Sequence, residues 1–160
     1  METERTSSTL ALLGQTLRNS LHFHGRASLA ELLNYVLCVA FFHLAIGLVL
    51  MLGLAYPVFA TVQDALQVIY FLPVPALLVR RLHDQERRAA LLSFAAPGVL
   101  MWIARKALAL TQPLEVRATF DSYTWPVDLV AGLSSLAILI ALILPGTPGP
   151  NRFGPDPRQP

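Results

Sequence analysis

From Leu32 to Gln63 the chain runs thirty-two residues without one Asp, Glu, Lys or Arg. An element of a soluble domain nearly always turns some face to water, so an uncharged run of this length is out of place there. A helix of about 20 apolar residues crosses the hydrocarbon core of a bilayer. The chain therefore holds at least one membrane span, and the expected fold class is all-α, an integral membrane helical bundle.

The remaining composition points the same way. Hydrophobic residues make up 54% and charged residues 14%, against roughly 25% charged in a soluble domain. At 160 residues the chain suits one compact helical unit and is short for two domains. A net charge of +2 gives no reason to expect a nucleic-acid partner. The lone Cys38 lies inside the first apolar run, cannot form an intrachain disulfide, and reads as a small buried side chain.

Four hydrophobic segments define an expected membrane domain over 25–144. The first is 34–54, about 31 Å of helix, a full crossing. The second is 62–79, with Gln63 and Asp64 at its start, Pro73 and Pro75 in its last turns, and Arg80-Arg81 ending it. The third runs 89–110, with Pro97-Gly98 inside it and Arg105 and Lys106 snorkelling toward headgroups. The fourth, 127–144, stops at Pro145-Gly146. The second and third are the ones that a re-entrant or interfacial helix would replace. Small residues (Ala45, Gly47, Gly53, Ala95, Ala96, Gly98, Gly132) permit close helix approach. Four spans can close on themselves or form a homo-oligomer, and the sequence leaves both open.

Orientation follows from the basic residues. Arg5, Arg18 and Arg26, then Arg80, Arg81, Arg87 and Arg88, then Arg152 and Arg158 fall on one side of a four-span chain. Arg105, Lys106 and Arg117 fall on the other. The positive-inside bias places both termini in the cytoplasm. Tyr56, Trp102, Tyr123 and Trp125 sit near the expected outer ends, where amphipathic rings prefer the interface.

The N-terminal stretch 1–24 is not read as a signal peptide, because Glu2 and Glu4 open it and no apolar core follows. Leu10, Leu13, Leu17 and Leu21 recur at helical spacing after Ser7, Ser8 and Thr9. Two readings stay open: an amphipathic helix on the inner membrane face, or a tail that orders only against the bundle.

Three polar clusters lie on the expected cytoplasmic side. Gly25-Arg26 precedes Ser28-Leu29-Ala30-Glu31, a capping-box spacing at the start of the first span. Arg80-Arg81-Leu82-His83-Asp84 closes the second span; the arginines are ordinary stop-transfer charges, and His83 beside Asp84 serves a structural hydrogen bond, proton transfer or metal binding. The tail 145–160 alternates Pro and Gly, which excludes helix and strand. As composition it is a disordered linker. Alternatively it docks, with Asn151-Arg152-Phe153-Gly154 as a tight turn and Arg152 finding a carboxylate such as Asp84 or Glu31.

Taken in order, Gly-Arg with Ser and Glu before a span, Arg-Arg-Leu-His-Asp after one, and Pro145 to Pro157 at the end resemble the DUF805 family of small bacterial inner-membrane proteins. The resemblance covers residues 25 to 157. It implies a multi-span, uncharacterised inner-membrane protein and brings no established catalytic residue or ligand. The family's shared polar positions would be Gly25, Arg26, Glu31, Arg80, Arg81, His83, Asp84, Asn151, Arg152, Gly154 and Asp156. The chain departs from the family at Leu29 and Leu32-Leu33, and again at Gln85 to Ala89, where the family has a small turn followed by Trp.

Two functions compete. The first is a non-enzymatic membrane module whose polar clusters pin the tail, with arginines such as Arg80, Arg81, Arg87 and Arg88 meeting anionic lipid headgroups or a membrane-protein partner. The second is a small-solute carrier or membrane enzyme with a cytoplasmic-face pocket around His83, Asp84 and Arg152. Carriers place ionisable groups within their spans, and here His43, Asp64 and Asp128 are the candidates. His43 reads as a packing contact, and the two aspartates as helix N-terminal charges. His22-x-His24 has no Cys or acidic neighbour and reads as a surface pair. No phosphate loop, nucleophile motif or zinc motif is present, so no catalytic residue, metal or cofactor is expected.

Overall fold

A computed structural model describes residues 8–159, the side chains of Tyr56 and Pro57 apart. Glu2, Glu4, Arg5 and Ser7, used above, lie outside the described residues, as does the side chain of Tyr56. The described chain is helical: α1 (Thr9–Arg18), α2 (Leu29–Gly53), α3 (Tyr56–Phe71), α4 (Val74–Asp84), a 3-10 segment (Ala89–Ala95), α5 (Ala96–Thr111) and α6 (Leu114–Ile143). Four helical stretches are long and apolar enough to cross a membrane: Leu29–Gly53, Val58–Asp84, Ala89–Thr111 and Leu114–Ile143.

The chain divides into two compact units, Met1–Arg87 with Pro145–Pro160, and Arg88–Leu144. Length alone suggested one. Helical hairpins satisfy their own backbone groups, so each unit can be compact by itself.

In the first unit α2 packs on α1, α3 and α4. Ser28 Oγ accepts from the Glu31 amide at 3.1 Å and starts α2. The return half of a capping box does not form, because the Glu31 carboxylate is engaged elsewhere. Gln63 and Asp64 do not start α3, which begins at Tyr56; they lie well inside it, so a dipole role for Asp64 is excluded. Gly47 of α2 lies so close to the Gln63 side chain that a Cβ there would clash. Pro73 and Pro75 separate α3 from α4 by removing amide donors. The Tyr35 hydroxyl donates to the Tyr70 carbonyl at 2.7 Å, filling one acceptor at that break. His43 packs edge-on against Tyr70.

α1 forms, N-capped by Ser8, whose Oγ accepts from the Ala11 amide at 3.2 Å. It ends at Arg18, so Leu21 lies beyond it. Its polar Thr16 is buried, and Leu10 and Leu17 are exposed. The helix is thus amphipathic in reverse for water and in the right sense for a bilayer surface.

In the second unit the 3-10 segment and α5 pack on α6. Pro97 sits in the first turn of α5, where a missing amide costs nothing. A Cβ added at Gly98 would meet the Ala131 side chain at ordinary van der Waals distance, whereas one at Gly132 or, in the first unit, at Gly53 would meet nothing. α6 starts at Leu114 rather than near Val127 and carries Pro126 inside it. Its 30 residues amount to about 45 Å, longer than the hydrocarbon core of about 30 Å. The stretch 111–126 between the expected third and fourth spans is therefore mostly helix, broken at Gln112-Pro113.

Burial is inverted relative to a soluble protein. Leu37, Phe41, Leu44, Leu48, Leu52 and many others are exposed, while Thr16, Arg26, Glu31, Arg80, Arg81, Asp84 and Asp156 are buried.

Candidate functional site

All eleven polar positions named from the sequence fall in the first unit, around the end of α4. Asp84 is the centre and is fully buried. Arg26 donates to its Oδ1 through Nε at 3.0 Å and Nη2 at 2.8 Å. Arg81 donates to Oδ2 at 2.6 Å. Burying a charge is costly unless it is paired and hydrogen-bonded, and both oxygens meet that condition.

Arg26 also binds the tail. Its Nη2 donates to the Thr147 carbonyl at 2.6 Å, and its Nη1 to Gly149 at 2.6 Å and Gly154 at 3.4 Å. One guanidinium thus joins the carboxylate at the end of α4 to three tail carbonyls. Its own chain is fixed beside α4 by the Ala27 amide, which donates to the Arg80 carbonyl at 3.0 Å.

The tail answers with its own donors. The Thr147 amide and hydroxyl both donate to the Asp84 carbonyl, at 2.8 and 3.0 Å. Asn151 donates to the His83 carbonyl at 3.0 Å and to Thr147 Oγ1 at 2.9 Å. These contacts satisfy carbonyls that the last turn of a helix leaves open. Gly146 has no room for a side chain, because a Cβ would fall on the Asp84 carboxylate.

Asn151 and Gly154 exchange backbone hydrogen bonds at 3.0 Å in both directions, and Gly154 takes φ 137°, open only to glycine. This tight turn presents Phe153, which stacks on His83 with ring centroids 3.9 Å apart and planes 5° from parallel. His83 Nδ1 lies 3.2 Å from the Gly25 carbonyl; a carbonyl only accepts, which assigns the proton to Nδ1. Arg152 does not reach Asp84 or Glu31 as expected. It lies 4.6 Å over the Phe153 ring and donates to the Glu86 carbonyl at 2.8 Å. The turn projects it to the outer side of the ring, and Arg26 already occupies the carboxylate.

Asp156 closes the tail on itself. It accepts from the Gly149 amide at 3.0 Å and from the Arg158 side chain and amide. The Arg158 hydrogen bonds pull its carboxyl down to about 2 against the opposing effect of burial. The same bond raises Arg158.

Glu31 forms a second centre. Arg80 Nη1 lies 3.1 Å from its Oε1, Thr16 donates to the same oxygen at 3.0 Å, and Gln15 donates to Oε2 at 3.4 Å. Arg80 and Arg81, expected among the exposed arginines, are buried; among the described residues the exposed arginines are Arg18, Arg88, Arg152 and Arg158.

The sequence reading missed Gly146, Thr147, Gly149 and Arg158 as participants. Their signal was present in the Pro-Gly-Thr-x-Gly spacing, but they act mainly through backbone and small size. It also misplaced a cluster in the second unit. Arg105, expected to reach toward headgroups, donates to Asp128 at 2.9 and 2.6 Å, to Asp121 at 2.7 Å and to Thr124 at 3.2 Å. Asp128 lies inside α6 and is no N-terminal charge.

A family model described as "Protein of unknown function (DUF805)" matches residues 20–155. The chain belongs to the DUF805 family. No curated protein and no solved structure matches it. The matched region of this DUF805 chain holds Arg26, Asp84, Thr147 and the Asn151–Gly154 turn, the parts that join α4 to the tail; Asp156 and Arg158 lie just past it.

Proposed function

We propose that this DUF805 protein is a non-enzymatic, multi-pass module of the bacterial inner membrane, with both termini cytoplasmic. Its polar cluster clamps the tail to the end of α4, and its exposed arginines face anionic headgroups. The observation that carries this reading is Arg26, which holds Asp84 and three tail carbonyls at once. Such a centre is built for cohesion. Both Asp84 oxygens are bound and buried, which leaves neither of them open to a reacting group or a transported ion.

Basic residues near an anionic leaflet contribute about 1 kcal/mol each. Full-length protein in nanodiscs should therefore melt higher with phosphatidylglycerol than with phosphatidylcholine alone. Charge reversal at the exposed Arg18 and Arg88 together with the half-buried Arg87 should remove most of that difference. A difference left intact in the triple variant would reject the lipid part, and a carboxyl-terminal reporter active only outside the cytoplasm would reject the orientation.

A further inference from the structure

Arg80 has 3% of its side chain exposed, and Glu31 takes only its Nη1. Its Nε and Nη2 are sealed from solvent with no hydrogen-bond partner among the described residues. Those two nitrogens form the side edge of the guanidinium, the planar fork that matches a carboxylate or phosphate. Arg26 shows the same edge in use, with Nε and Nη2 both on Asp84 Oδ1.

The buried ion pairs leave that same edge of Arg80 open. Arg26, Arg80 and Arg81 are buried against Glu31 and Asp84, while the buried Asp156 is matched by Arg158. Asp84 answers Arg26 and Arg81, and Glu31 answers one nitrogen of Arg80.

We propose that Arg80 is the anchor of a phosphate-type oxyanion site, taking the headgroup of an anionic phospholipid or free inorganic phosphate. Arg80 lies four residues before the end of the Val58–Asp84 stretch, close to where a span meets the headgroup layer. Both donors are closed to solvent, so the anion seats during assembly or through a local opening, and it exchanges slowly. This site goes beyond the surface attraction proposed above and stands even if the exposed arginines are indifferent to lipid charge.

The test uses full-length protein purified in detergent and phosphate-free buffer. Phosphorus analysis and native mass spectrometry should find a phosphorus-bearing anion retained on the wild type. Arg80→Lys keeps the charge but lacks the fork and should lose retention about tenfold or more, while Arg117→Lys in the second unit keeps it. Solvent-extractable phosphorus identifies a lipid source, and water-soluble phosphorus the free ion. Equal retention in Arg80→Lys marks an adventitious ion only and overturns the proposal. Should Arg80→Lys fail to fold, wild type labelled with 15Nε-arginine decides the matter. Inorganic phosphate or dioctanoyl-phosphatidylglycerol, and not chloride, should shift one buried Nε resonance; no shift in a protein that also lacks bound phosphorus overturns the proposal.

Discussion

Arg26 and Asp84 stand 58 residues apart in the chain and meet through two hydrogen bonds of 3.0 and 2.8 Å in a fully buried setting. This pair is the hinge between the helices and the tail, because the same guanidinium also holds Thr147, Gly149 and Gly154.

Arg26→Ala should free the tail and destabilise the first unit. Removing one partner of a buried pair costs about 3–5 kcal/mol, and here three tail carbonyls lose their donor as well. Thermal unfolding in detergent measures the loss, and limited proteolysis should cut within 145–160 well before the helices. A tail as resistant as in the wild type would contradict the role given to Arg26.

Two glycine substitutions should act in opposite directions. Gly146→Ala drives a methyl group into the Asp84 carboxylate and should cost about 1–3 kcal/mol, as overpacking does. Gly14→Ala lies in α1 with nothing near the added Cβ and should stabilise by about 0.5–1 kcal/mol, the helix-interior difference between Gly and Ala. Melting temperatures of the pair in one detergent give the comparison.

Tail closure should depend on acid. The Asp156 carboxyl is held down to about 2 by Arg158, below its ordinary value of about 3.9. A carboxylate depressed in the folded state stabilises above its unfolded value, and that contribution disappears as pH falls through the folded one. Amide exchange around Gly149 and Arg158, whose amides donate to Asp156, should therefore accelerate between about pH 4 and pH 2. Asp156→Asn should show the faster exchange already at neutral pH and lose the acid step.

Within the second unit, Asp128→Ala should lower the melting temperature more than Asp121→Ala. Asp128 takes two guanidinium N–H groups, whereas Asp121 takes one and is more exposed. Bidentate pairing is the stronger arrangement, and exposed pairs contribute little. Equal shifts would show that the cluster acts only through its net charge.

What could be read from the chain alone was whatever local chemistry or the bilayer enforces residue by residue. A thirty-two-residue uncharged run leaves a membrane as its solvent, Ser28 before Glu31 announces a helix start, and Pro-Gly alternation excludes regular structure from the tail. The beginning of α6 was misread because hydropathy sees only the lipid-facing part of a helix; residues 114–126 continue the same helix with polar side chains. Partner choice was beyond the chain's reach. Arg26 and Arg152 are the same side chain, equally able to bind a carboxylate. Only the packing of the segment before α2 against the end of α4, and the tight turn that lays Phe153 on His83, decided that Arg26 meets Asp84 while Arg152 rests on the ring. Ion pairs are set by distance in space, and distance in space is a property of the assembled helices.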